Sequence, residues 1–334
     1  MLKLLSVVAL SFTASVFAQD SAYARQVIQT LCAKSMKGRG YIGNGDKKAA
    51  AFIQSEFKKI GLKPLNNQYV QKFNFSANTI QSVDIEYNGK LLKPGIDYLV
   101  DAAAPSFNFN GEVSLITFDS LNSNYHYDVM GHQLQYVMLD TFTEQYAENA
   151  AISLKKYYAD RNKLLIIRLS NSKLTWTSSS YQTKFCGITI KSDVIDRQSK
   201  AVFKIKVKSR FHKPYTSQNI LGVVPGTGKQ FKDSFIFFTA HYDHLGMMGK
   251  AVFPGANDNA SGIAMLLNLA KYYVANPQKY TLVFVAFSGE EIGLIGSNYF
   301  VKNPLVPLDN IKFLINIDLM ANGADGMMVV NGLV

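Results

Sequence analysis

SFIFFTAHYDHLG, residues 234–246, sets a run suited to a buried strand, Ser234 to Ala240, directly against the polar cluster His241-Tyr242-Asp243-His244. The same layout recurs twice downstream. TLVFVAFSGEE, residues 281–291, ends its apolar run on Ser288-Gly289-Glu290-Glu291, and KFLINIDL, residues 312–319, carries Asn316-Ile317-Asp318 at its end. Between the first two lies GANDNASG, residues 255–262, opening a stretch with helical spacing from Ala260 to Ala275. A second helical stretch runs from Glu290 to Val301. Continuous apolar runs of this length suit strands covered on both faces, and strands alternating with helices predict an α/β domain around a central sheet.

The polar clusters share one edge of that sheet. In an open α/β sheet the crevice at the carboxyl ends of the strands is the usual ligand site. His241, Asp258, Glu291 and Asp318 are all zinc-ligand types, binding at roughly 2.0–2.2 Å. Taken singly, each has an ordinary explanation. Asp258 or Asn259 suits a helix cap, and Glu290 and Glu291 suit a helix first turn. Taken together, ligand chemistry at four positions on one edge predicts a metal site. Asp243, two residues beyond His241, would point to the same side of an extended chain and accept the imidazole proton that a metal-bound histidine must place.

Outward from this core, Asn219 to Val224 reads as another strand, followed by the turn Pro225-Gly226-Thr227-Gly228. Residues 21–62 read as helical, with Ala50, Ala51, Ile53, Phe57 and Ile60 near helical spacing and Gly61 as a stop. Lys63 to Phe75 reads as extended. Residues 76–210 change character. Ser82 to Tyr87 alternates and runs into the hairpin signal Asn88-Gly89. Glu112 to Ile116, Lys163 to Leu169 and Ala201 to Val207 read as further strands, and Ala147 to Tyr158 as a helix. The expected organisation is a peptide-chain leader at 1–18, an α/β domain from 19–75 and 211–334, and a mostly β insert at 76–210.

The leader rests on the apolar or small run Leu4 to Ala18, which ends Val16-Phe17-Ala18 before Gln19. That fits a secretory signal and sets the expectation of a secreted or periplasmic protein. The run is short for a membrane span, which needs about 20 apolar residues, so no stable membrane insertion is expected. Cys32 and Cys186 are the two cysteines; an oxidising compartment permits their pairing, and two free thiols fit equally well. Hydrophobic residues at 48% and charged residues at 18% exclude a disordered chain. The net charge of +11 resides in the first 214 residues, away from the polar clusters. No nucleic-acid-binding motif accompanies it, so nucleic acid is not an expected partner.

The segments His241-Tyr-Asp-His-Leu-Gly, Asn257-Asp-Asn-Ala-Ser-Gly, Gly289-Glu-Glu-Ile-Gly-Leu-Ile-Gly-Ser and Asn316-Ile-Asp resemble the co-catalytic two-zinc aminopeptidase family. That is the superfamily of bacterial leucyl aminopeptidases, aminopeptidase Y, glutamate carboxypeptidase and the transferrin receptor. The resemblance covers about residues 216–320, with Gly40 to Pro64 similar to the family's leading helix. It implies a three-layer zinc-peptidase domain with a mixed central sheet, and an insert weakly similar to protease-associated domains. It implies two zinc ions. His241 and Asp318 would bind one, Glu291 the other, and Asp258 would bridge them. Glu290 would be the general base and Asp243 the partner of His241. The implied activity is release of N-terminal residues from peptide substrates through a metal-activated water.

The resemblance also implies one more ligand, a histidine downstream of Asp318. The five histidines are His126, His132, His212, His241 and His244, and none follows Asp318. The sequence therefore reads as truncated at its C-terminal end, with Asp258 and Glu291 alone at the second zinc and poor activity expected. His244 is the nearest candidate substitute, but its neighbours commit that segment to His241. Three alternatives stand beside the aminopeptidase: a glutaminyl cyclase-like acyltransferase, which the Gly289-Glu-Glu and Asn257-Asp-Asn motifs disfavour; a carboxypeptidase; and a non-catalytic homologue.

Overall fold

Two long antiparallel strands, β1 (Val70–Tyr87) and β8 (Ala201–Val224), form the spine of one continuous sheet and join its two parts. The computed structural model describes residues 20–116, 136–139, 165–196, 201–320 and 328. The signal-like residues 1–18 and the expected helix Ala147 to Tyr158 lie outside the described residues. In β8 the sequence changes pattern midway, and its surroundings change with it. Ala201, Phe203, Ile205 and Val207 are buried while Val202, Lys204, Lys206 and Lys208 are exposed, the period-two pattern of a sheet with one wet face. From Ile220 to Val224 every residue is buried, because both faces are covered there.

The covered part is the expected α/β layer. β12 (Thr281–Phe287) pairs antiparallel with β8 and parallel with β9 (Phe235–His241), and β13 (Ile311–Asn316) pairs parallel with β9. The sheet is therefore mixed. On one face α1 (Ser21–Leu31), α2 (Gly45–Ile60) and α3 (Gly262–Ala275) pack Leu31, Ile53, Phe57, Ile263 and Leu267 against Phe238 and Phe284. On the other, α4 (Ile295–Lys302) sets Phe300 among Phe237, Val283 and Val285. These are the three layers the motifs implied. α2 ends where expected: Gly61 takes φ +100° and its N–H returns to the Phe57 and Lys58 carbonyls.

The sheet continues from the far ends of β1 and β8. β4 (Phe107–Ile116) pairs antiparallel with β8; β5 (Tyr136–Leu139), β6 (Leu165–Ser170) and β7 (Cys186–Lys191) follow in parallel, and β3 (Tyr98–Val100) closes against β7. On the other side of β1, the short β10 (Gly246–Met248) pairs with it in parallel and with β11 (Ala251–Phe253) antiparallel. Asn88 and Gly89, both at positive φ, turn β1 into the short β2 (Lys90–Leu91). The expected boundaries at 75/76 and 210/211 fall inside β1 and β8, which run through both parts of the sheet. Cys32 follows α1 and Cys186 lies in β7; both are free thiols. No described helix is long and apolar enough to cross a membrane.

Candidate metal centre

β9 ends on His241, paired with Phe287 at the end of β12, and the parallel β13 ends one strand away just before Asp318. Parallel neighbours finish at the same edge, so their terminal side chains meet. Asp258 arrives from the turn that opens α3. His241 Nε2 lies 3.2 Å from Asp258 Oδ1 and 3.5 Å from Asp318 Oδ1. On the other side of Asp258, His244 Nδ1 lies 2.5 Å from Glu291 Oε1 and 3.9 Å from Asp258 Oδ2. The result is two donor sets, His241/Asp258/Asp318 and His244/Asp258/Glu291, each with its ligand atoms within 4.8 Å of one another and sharing Asp258.

All six residues named by the sequence reading are therefore at this edge, and His244 joins them. The local backbone explains the two departures. Strand pairing stops at His241, so the chain turns and Asp243 does not stay beside the imidazole as in an extended strand. His241 Nδ1 donates instead to the Asp243 main-chain oxygen at 3.2 Å, with the nearer carboxylate oxygen at 3.9 Å. That arrangement still leaves Nε2 aimed at Asp258 and Asp318. The Asp243 carboxylate, fully buried, accepts from the Glu290 N–H (3.2 Å), the Glu291 N–H (3.3 Å) and the Tyr41 hydroxyl (2.7 Å). Glu290 and Glu291 are not in a helix first turn. Gly289, Gly293 and Leu294, all at positive φ, hold them in a loop, and α4 begins only at Ile295.

The loop carrying Asp258 is tied to the strand end carrying Asp318. Asn259 donates to the Ile317 carbonyl at 3.0 Å and accepts from Gly262 (2.9 Å) and Leu319 (3.3 Å); Ser261 accepts from the Met320 N–H at 2.8 Å. Asn259 thus performs the capping role read for this motif and also fixes the spacing of the two carboxylates.

The charge balance calls for a cation. Burial alone lowers the His241 pKa, but Asp258 and Asp318, with the charges of Asp243 and Glu290, outweigh it and push it up to about 11. The hydrogen bond to His241 holds the Asp258 carboxyl below its ordinary value. Burial raises the Glu290 carboxyl. The carboxylates of Asp243, Asp258, Glu290, Glu291 and Asp318 outnumber the two imidazoles and the Arg39 guanidinium beside them. Mixed imidazole and carboxylate donors with a fixed imidazole orientation fit zinc. Glu290 keeps its carboxylate 3.9 Å from His241 Nδ1 and lines a cavity of about 300 Å³ together with Phe237, Phe287, Phe300 and Leu314.

Residues 219–333 match the model of peptidase family M28. That matched segment holds every donor of the two sets. Aminopeptidase YwaD of Bacillus subtilis (strain 168) is 27% identical over 265 residues, 77% of this chain and 52% of that protein. A probable zinc metalloprotease of Pyrenophora tritici-repentis (strain Pt-1C-BFP) is 34% identical over 121 residues, 35% of this chain and 24% of that protein. The chain thus spans about half of the first relative's length and about a quarter of the second's. Among solved structures, BSAP, a zinc aminopeptidase from Bacillus subtilis, superposes with a TM-score of 0.66 at 19% identity, over 92% of this chain and 70% of that one. That likeness places the M28 fold, its mixed sheet included.

Sequence reasoning set His244 aside as a ligand and did not find Tyr41 or Arg39 at this centre. A His-x-x-His spacing was the only local signal for the first. The other two reach it from the segment before α2, across more than 200 residues of chain.

Proposed function

We propose that this chain is a zinc-dependent exopeptidase that releases N-terminal residues from peptides, acting in a secreted or periplasmic setting. One observation carries the reading: two donor sets share Asp258, beside a glutamate that belongs to neither set. Zinc held there supplies Lewis acidity, which polarises a carbonyl and lowers the pKa of water. His241, Asp258 and Asp318 would hold one ion, and Asp258, Glu291 and His244 the other. Glu290 takes the proton from the attacking water and passes it to the leaving amine. Its raised pKa makes it a stronger base than an exposed glutamate. Asp243 fixes both glutamates through their main-chain amides, so base and ligand keep their separation. The acidic edge also suits the charged α-amine of a peptide's first residue, which is the basis for exopeptidase rather than internal cleavage. The resemblance of the M28 segment to proteins named aminopeptidase and zinc metalloprotease supports the same reading. The secreted setting rests on Leu4 to Ala18 alone.

The test is hydrolysis of aminoacyl chromogenic amides by the zinc-loaded chain and its Glu290→Gln variant. Gln keeps the shape and cannot accept the proton, so turnover is expected to fall by at least about 100-fold with zinc content unchanged. Loss of zinc together with turnover would make Glu290 a ligand instead.

A further inference from the structure

Arg39 lies outside the matched M28 segment and is completely buried. All five of its guanidinium N–H groups are used, and every acceptor is a main-chain carbonyl. Nε donates to Tyr242 at 2.8 Å, Nη1 to Leu31 (3.2 Å) and Pro254 (2.6 Å), and Nη2 to Gly255 (2.8 Å) and Asp258 (3.1 Å). The main chain of Arg39 adds a sixth tie, accepting from the His244 N–H at 3.3 Å. A planar fork with five fixed donors can satisfy this many carbonyls at once; an ammonium offers three.

The pieces it joins are the ones that must be in register at the metal centre. Tyr242 adjoins His241 at the end of β9. Gly255 and Asp258 belong to the turn that delivers the carboxylate common to both donor sets. Leu31 is the last residue of α1. The backbone around Arg39 is held to this task. Lys37, Gly38 and Arg39 all have positive φ, which is costly for the two residues with side chains. A Cβ on Gly38 would run into the Gly246 and Phe253 carbonyls, and one on Gly40 into the Gly246 backbone, so this segment lies main chain against main chain with residues 244–246.

The geometry points to Arg39 as a positioning residue that sets the distance between the His241 strand end and the Asp258 turn, so that the segment before α2 is part of the metal-binding machinery. This rests on the zinc reading above. Removing an outer partner of a metal ligand typically costs 10–100-fold in metal affinity.

The experiment uses the full chain, with Arg39→Lys, Arg39→Gln and, as a control, Ile53→Ala, which removes buried packing in α2 and touches none of the five carbonyls. Zinc affinity is read by competition with a chromogenic chelator, the ligand geometry by the visible spectrum of the cobalt-loaded protein, and folding by thermal unfolding without metal. Arg39→Lys and Arg39→Gln are expected to weaken zinc at least 10-fold and alter the cobalt spectrum, while Ile53→Ala loses thermal stability with wild-type affinity and spectrum. Wild-type affinity in folded Arg39 variants, or an equal loss in Ile53→Ala, overturns the proposal. If neither Arg39 variant folds, Gly38→Ala carries the test, since its Cβ would run into the Gly246 and Phe253 carbonyls and displace the Arg39 segment without meeting a metal ligand; undiminished affinity there overturns it equally. A wild-type chain that binds no zinc would sink the zinc reading itself. Arg39→Lys is then judged by amide exchange in residues 255–260, where unchanged protection counts against the clamp.

Discussion

Asp243→Asn separates the two roles of the central carboxylate. In the wild type one oxygen accepts from the Glu290 N–H and the other from the Glu291 N–H and the Tyr41 hydroxyl. Asparagine keeps only one acceptor oxygen. The better orientation leaves that oxygen toward Tyr41 and Glu291 and sets the new NH2 against the Glu290 N–H, donor facing donor. The loss is one charge-assisted hydrogen bond and the satisfaction of one part-buried donor, about 2–4 kcal/mol together. Relief of repulsion from Glu290 offsets little, because that carboxylate is 36% exposed and screened by water. The expected outcome in urea unfolding of the zinc-free protein is a stability lower by that amount. Zinc affinity should fall 10–100-fold, since the loop carrying Glu291 loses its tie at the preceding Glu290 amide. Tyr41→Phe in the same background should be partly additive, because it removes the 2.7 Å donor from the retained oxygen. Stability within about 0.5 kcal/mol of wild type, with unchanged zinc affinity, would refute the role assigned to Asp243.

His244→Ala removes one of three donors from the His244/Asp258/Glu291 set. Bound zinc, measured by metal analysis after dialysis, should drop from two equivalents toward one; retention of two would remove His244 from the ligands. Asp46 gives a pH signature remote from the metal. Burial raises its pKa to about 6 against hydrogen bonds from Tyr215 and Ser217, so the folded state holds its proton more tightly than the unfolded chain does. Its contribution is present below about pH 4 and is lost as pH rises through about 6. Wild type should therefore lose about 3 kcal/mol relative to Asp46→Asn over that range, and parallel stability curves for the two would contradict the assignment.

The strand ends and their chemistry were legible because both signals are local. Apolar runs stop at His241 and Phe287, and polar clusters begin there, so His241, Glu291 and Asp318 could be placed on one edge without knowing a single contact. Asp258 was legible for the same reason, as part of a turn opening a helix. The role of Asp243 was not. Its expected position assumed that the strand continued past His241, and pairing stops there. The Glu290-Glu291 loop was read as helix because acidic residues suit a helix first turn; the positive φ at Gly289, Gly293 and Leu294 keeps it out of the helix, and an apolar spacing pattern does not report it. His244 looked committed to the His241 segment, and only the turn after β9 carries it to Glu291. Arg39 had no signal, since a guanidinium bound by carbonyls leaves no complementary charge in the sequence.

The central claim is that Asp258 is shared between two metal positions. Anomalous scattering at the zinc edge from crystals of the zinc-loaded chain tests it most directly. The account requires two peaks. One should lie about 2.0–2.2 Å from His241 Nε2 and carboxylate oxygens of Asp258 and Asp318, and the other the same distance from the second Asp258 oxygen, Glu291 and His244. No zinc at this edge, or zinc bound without Asp258, would contradict it.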